Sequence, residues 1–266
     1  MAKYEAGFIG AGSMGGALAQ AAVKTAGGGR VAVACSTPEH SEEAAARLGC
    51  AAETAETILW ESRFVFLGVK PQMIAGVVKK LAGDIAGSDA IFVSMLAGTS
   101  LERLAELLGA DKKIIRIMPN TPCAVGQGLT LVAPNDRVTA EELADFKALL
   151  SASGLLDDLP EHLIDAASAV SGCGPAYAYL FMEALADGAV KCGVPRAKAV
   201  RYAAQMLLGS ASLTLESGHH PGALKDAVCS PGGSTIAGGA ALEDRGFRGA
   251  AIAAVEAAYR RTEELG

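Results

Sequence analysis

A chain of 266 residues is long enough for one large domain or two modest ones, and it buries a core without a metal or a disulfide to staple it. It is 51% hydrophobic but only 5% aromatic, the profile of an α/β or helical enzyme built on Ala, Val, Leu and Ile. A formal net charge of -6 with no Lys/Arg block argues against a nucleic-acid surface.

The six cysteines, at 35, 50, 123, 173, 192 and 229, form no CxxC pair and no zinc-ligand spacing, so they read as reduced thiols with no metal site. Residues 1–8 carry Lys3 and Glu5 and run straight into a glycine loop, with no apolar leader. Apolar stretches stop short of the roughly 18 residues a membrane span needs. A cytoplasmic protein is expected.

In chain order, β-rich runs at 6–9, 31–35, 64–69, 90–94, 113–118 and 129–133 alternate with helical stretches at 14–25, 38–47, 71–81 and 100–107. Several strands are apolar throughout, as expected when helices cover both faces of a mostly parallel, doubly wound sheet. After Pro160 the strand signals stop. Ala-rich helical sequence follows, broken at 172–175, 193–195, 218–222 and 230–233. The expected domains are 1–160 and 161–266.

The first strand runs into Gly10-Ala11-Gly12-Ser13-Met14-Gly15, which opens the first helix. Gly10 permits the tight turn, Gly12 lets backbone approach a pyrophosphate, and Gly15 allows close helix-strand packing. The anion would face free N–H groups at the positive end of a helix. A glycine pattern often marks only a turn, but its place between strand and helix at the head of a βαβαβ series points to a dinucleotide.

The second strand ends Ala34-Cys35-Ser36-Thr37-Pro38, with no acid before Glu39. A carboxylate there would bind the ribose hydroxyl and repel a 2′-phosphate by about 1 to 4 kcal/mol. Its absence favours NADPH, with NADH the alternative, and Ser36 and Thr37 offer hydroxyl and backbone donors. No arginine sits at this turn. The same two residues also suit a cap on the helix starting at Pro38. Val69-Lys70-Pro71 closes the strand at 64–69, and ligands of such sheets bind beyond the carboxyl ends of strands, so Lys70 is a candidate contact.

In the helical half, residues 176–190 are apolar on most of their circumference, with Glu183 and Asp187 nearly the only charges. A helix apolar all round is buried, either against a second copy of itself or at the centre of a monomeric bundle, and a homodimer or larger assembly is expected. Further on, Leu224-Lys225-Asp226-Ala227-Val228-Cys229-Ser230-Pro231-Gly232-Gly233-Ser234-Thr235-Ile236 places a Pro-Gly-Gly turn between two helices. Free amides at the second helix start, with the hydroxyls of Ser230, Ser234 and Thr235, form a carboxylate site, although a capped turn is the commoner use of this pattern.

Across essentially its whole length the chain resembles the pyrroline-5-carboxylate reductase family. The motifs are Gly7-Phe8-Ile9-Gly10-Ala11-Gly12, Val69-Lys70-Pro71-Gln72, Met118-Pro119-Asn120-Thr121-Pro122, Ser171-Gly172-Cys173-Gly174-Pro175-Ala176-Tyr177, Ala184-Leu185-Ala186-Asp187-Gly188, His220-Pro221-Gly222, and Lys225-Asp226 with Gly233-Ser234-Thr235-Ile236. The resemblance implies a Rossmann domain followed by an all-helical dimerisation domain, assembled as a homodimer or as a decamer of five dimers. It implies that Ser230, Gly233, Ser234 and Thr235 hold the substrate carboxylate, with the Thr235 hydroxyl near the ring nitrogen as the catalytic group. Glu161 and Val228 fall on the substrate side. Cofactor contacts carry over to Ile9, Gly10, Ala11, Gly12, Ser13, Met14, Ser36, Val69, Lys70, Pro71 and Ala97, joined by Thr37 from the strand-end argument. Ala55 and Ala227 depart from the family pattern, standing where some members have a cofactor-touching asparagine. A reductase of the 3-hydroxyacid or imine class, and a non-catalytic NADP-binding sensor, are the rival readings.

Overall fold

The computed structural model describes residues 2–264, with the Pro71 side chain outside that description. The strands are β1 (Tyr4–Ile9), β2 (Val31–Ala34), β3 (Ala51–Ala52), β4 (Ser62–Leu67), β5 (Ile91–Ser94), β6 (Ile114–Met118), β7 (Gly128–Pro134) and β8 (Gly154–Asp158). They form one sheet in the order β3-β2-β1-β4-β5-β6-β7-β8. The helices around them are α1 (Ser13–Ala26), α2 (Pro38–Leu48), α3 (Ala55–Glu61), α4 (Ile74–Lys80), α5 (Ala82–Gly87), α6 (Leu101–Leu108), α7 (Ala140–Leu150) and α8 (Glu161–Ser171).

Alternation along the strands supplies two cores. Phe8, Phe64, Phe66, Val31, Val33, Val93 and Ile115 point to one face, where Leu18, Ala19 and Ala22 of α1 and Phe146, Leu149 and Leu150 of α7 pack. Val65, Leu67, Phe92 and Ile114 point to the other, against Ile58 and Leu59 of α3, Ile74 and Val78 of α4, and Leu104 and Leu108 of α6. Phe8 stacks on Phe66 with centroids 4.2 Å apart, and Phe146 closes on both Phe64 and Phe66. Each fully buried ring of this kind contributes about 1.5 to 3 kcal/mol of apolar burial.

All pairings are parallel except β6 with β7. The link between that pair is too short for a crossover helix, so the chain turns back on itself through the 3₁₀ turn Thr121–Val125. Asn120 holds this reversal: its Oδ1 accepts from the Leu129 N–H at 2.9 Å and its Nδ2 donates to the Ser171 carbonyl at 3.0 Å.

The strands at 6–9, 31–35, 64–69, 90–94, 113–118 and 129–133 expected from sequence all occur, shifted by one or two residues. The helix expected over 71–81 opens instead as a 3₁₀ turn before α4. By contact, the first compact unit runs to Cys173 and takes in residues 258–264 as well, and the second spans 174–257. The unit passes residue 160 because α8 packs on the sheet, Ile164 joining Met118, Leu131 and Ala133 in a small core of its own.

The second unit is helical: α9 (Gly174–Lys191), α10 (Arg196–Ser217), α11 (Pro221–Ala227), α12 (Ser234–Asp244) and most of α13 (Phe247–Glu263). Within it Phe181 meets Phe247 at 5.4 Å, and the Tyr177 hydroxyl donates to the Ala254 carbonyl. Of α9 only Ala186 is buried, while Tyr179, Leu180, Tyr202, Leu208, Leu213 and Leu215 are exposed. Among the described residues no helix is long and apolar enough to cross a membrane.

Candidate cofactor cleft and carboxylate-binding turn

The strand order reverses between β1 and β4, and the loops leaving these two strands meet there. Gly10 has φ of 100°, and a Cβ on it would lie 2.6 Å from the Gly68 carbonyl oxygen. A Cβ on Gly68 would lie 2.3 Å from the Gly10 carbonyl, and one on Gly15 would meet that same oxygen at 2.3 Å. These three glycines let two loops and a helix converge. Gly12 differs: a Cβ there meets nothing within 4 Å. It is the N-cap of α1, with no side-chain cap, so the first-turn amides of Ser13 and Met14 have no side-chain acceptor at the cap.

A cleft of about 370 Å³ begins at these loops. Ile9, Gly10, Ala11, Gly12, Ser36, Val69 and Lys70 line it, so the structure brings together most of the cofactor residues proposed from sequence. Ser13 and Met14 form the first turn of α1 beside it. Thr37 lines a neighbouring cleft and caps α2, its hydroxyl accepting from the His40 N–H, so the capping role occurs. The Ser36 hydroxyl meets His40 Nδ1 at 3.3 Å. Pro71 begins the 3₁₀ turn after Lys70, and its side chain lies outside the described residues. Ala97 sits exposed in the loop after β5 and lines neither cleft.

Met73, Val77 and Leu81 supply an apolar wall that motif reading passes over. Their i, i+4, i+8 spacing was the available signal. Lys80 also lines the cleft. Open space at Gly12, uncapped amides and an apolar cleft wall fit a dinucleotide.

In the helical unit, α11 ends at Ala227 and Val228 follows, exposed. Gly232 takes φ of 67°, which a Cβ would strain, and the Gly233 N–H donates to the Ser230 carbonyl at 3.0 Å, closing the turn. Gly233 is the N-cap of α12 with no side-chain cap and no acid in the first turn. Ser230, Ser234 and Thr235 are exposed around it. Lys225 pairs with Asp226 at 2.5 Å, which raises the lysine pKa and lowers that of the carboxylate.

Glu161, by contrast, belongs to the sheet unit. It opens α8, and its Oε1 accepts from the Leu101 N–H at 2.5 Å and from Arg116 Nη1 at 3.3 Å.

A doubly wound sheet with a glycine crevice at its switch point defines a dinucleotide-binding protein of the Rossmann class. Residues 5–98 match the family model "NADP oxidoreductase coenzyme F420-dependent", and residues 161–265 match "Pyrroline-5-carboxylate reductase dimerisation". The pyrroline-5-carboxylate reductase of Escherichia coli (strain K12) is 41% identical, covering 97% of both chains. That of Synechocystis is 50% identical over 77% of this chain and 76% of its own. A crystal structure of the Plasmodium falciparum pyrroline carboxylate reductase with NADP bound superposes with a TM-score of 0.88 at 29% identity, covering 100% of this chain and 99% of that one. The chain belongs to the pyrroline-5-carboxylate reductase family.

Proposed function

We propose that the chain reduces 1-pyrroline-5-carboxylate to L-proline with NADPH, the last step of proline biosynthesis. The observation that carries this reading is the glycine-lined crevice of unit one in a chain 41% identical to the E. coli reductase over 97% of its length. NADPH supplies a hydride to ring C5. The C=N π pair goes to nitrogen, which carries or takes a proton and becomes a secondary amine. A protonated imine is already electrophilic, so the protein acts mainly by holding its reactants, which is worth about 7 to 11 kcal/mol of barrier.

The uncapped start of α12 suits the substrate carboxylate, with Val228, Ser230, Gly233, Ser234 and Thr235 around it; Glu161 is assigned to substrate on the family resemblance alone. Thr235 is assigned to the ring nitrogen. Ile9 to Met14, Ser36, Thr37, Val69, Lys70, Pro71 and Ala97 are assigned to the dinucleotide, and NADH is the weaker donor. The exposed apolar side chains of α9 and α10 fall within the dimerisation-model match and support a homodimer, with a decamer of five dimers as the larger assembly. The six free thiols accord with a cytoplasmic setting.

The test follows NADPH absorbance with pyrroline-5-carboxylate and a panel of small cyclic imines. Turnover fastest on pyrroline-5-carboxylate is expected, with Thr235→Ala lowering kcat/KM roughly tenfold or more. Cofactor binding without turnover would instead favour a sensor.

A further inference from the structure

We infer that Lys80, at the end of α4, is the cation that recognises the 2′-phosphate of NADPH and so sets the preference over NADH. This rests on the proposed use of that cofactor. The turn after β2 carries hydroxyls at Ser36 and Thr37 but little positive charge. Its helix, α2, opens with Pro38, which has no N–H, and holds Glu39 in the first turn. Thr37 is already engaged as the cap.

Two clefts flank Ser36, of about 370 and 400 Å³, and Lys80 is the one cation lining both. It makes no hydrogen bond or ion pair among the described residues, so its ammonium is free to meet an anion. The opposing charges in the second cleft are Glu42, Glu53 and Glu56. Glu53 is held by the Tyr4 hydroxyl and by Lys3, leaving the exposed Glu42 and the half-buried Glu56, whose repulsion of a phosphate a cation must offset. Ala55, between the clefts, brings no polar group of its own. Lys79, next along α4, lines neither cleft and provides the internal control.

Binding of adenosine 2′,5′-bisphosphate and of 5′-AMP is measured by calorimetry at low salt on the full chain and on Lys80→Gln, Lys80→Arg and Lys79→Gln. The wild type is expected to prefer the bisphosphate. Lys80→Gln should lose roughly tenfold of that preference, Lys80→Arg should keep it, and Lys79→Gln should match wild type. The NADPH to NADH ratio of kcat/KM should fall in step for Lys80→Gln. An unchanged preference in Lys80→Gln, or an equal loss in Lys79→Gln, overturns the assignment. A wild type that prefers the bisphosphate through Lys80 yet turns over no imine sinks the reductase reading alone.

Discussion

Arg116 Nη2 donates to Asp165 Oδ1 at 2.5 Å, from a guanidinium only 2% exposed in the middle of β6. Nη1 reaches Glu161, and Nε has no partner among the described residues. The two ends of this network are unequal, because both carboxylates are about 30% exposed. Asp165→Ala leaves the buried cation only the longer contact to Glu161 and is expected to cost about 3 kcal/mol. Arg116→Met lets the carboxylates turn to water and refills the volume, and should cost less than about 2 kcal/mol. Urea denaturation at neutral pH ranks the two, and a larger loss for Arg116→Met would refute the asymmetry.

Gly12 and Gly68 separate binding from folding. A Cβ at Gly68 strikes the Gly10 carbonyl, so Gly68→Ala should lower both the melting temperature and NADPH affinity. At Gly12 the added methyl enters open space and φ is -67°, so stability should change by less than about 0.5 kcal/mol. NADPH affinity should still fall at least tenfold, because that space is assigned to the pyrophosphate. If Gly12→Ala binds NADPH normally, the pyrophosphate lies elsewhere.

The glycine loop was legible because each glycine answers a distinct steric demand that leaves a residue-type signature. The strand positions were legible because both faces of the sheet are covered and the apolar runs are continuous. The two-residue β3 lies below the length at which periodicity speaks. β8 reads Gly-Leu-Leu-Asp-Asp, partly exposed at the sheet edge, and so lacks a continuous apolar run. Lys80 carries no signal in the sequence because it lines the clefts beside Ser36 from an element more than forty positions away, a proximity created by the crossover. Arg116 is hidden for a related reason: its partners lie on α8, and nothing in Ile-Ile-Arg-Ile-Met announces a buried ion pair.

The Tyr4 hydroxyl donates to Glu53 Oε1 at 2.5 Å, clamping β1 to the loop before α3. The Tyr4 bond, then Lys3, hold the Glu53 pKa below its ordinary 4.5, while burial and the carboxylate raise that of Tyr4 above 10. A lowered carboxylate pKa contributes stability that is present above about pH 4.5 and lost as pH falls through the folded value. A raised tyrosine pKa contributes stability that is full below pH 10 and lost as pH rises through the folded value. Stability should therefore fall on both sides of this window. Glu53→Gln should flatten the acid limb, measured as urea midpoints from pH 6 to pH 3, and an equally steep limb in the variant would exclude the clamp as its source.

Ser36→Asp tests the end of β2 and the Lys80 assignment together. The carboxylate would stand where an acid binds ribose hydroxyls, and it would meet the 2′-phosphate as a like charge. It would also pair with Lys80, withdrawing the cation from the phosphate. Close charges at surface-like dielectric interact by about 1 to 4 kcal/mol, and exposure of Ser36 with salt screening puts the effect near the lower limit. The NADPH to NADH ratio of kcat/KM should thus drop roughly fivefold or more, mostly through KM for NADPH. The loss should shrink when Lys80→Gln is added, since the two changes share one partner. Full additivity in the double variant would mean that residue 36 and Lys80 act on different parts of the cofactor, and an unchanged ratio in Ser36→Asp would remove the strand-end argument for NADPH.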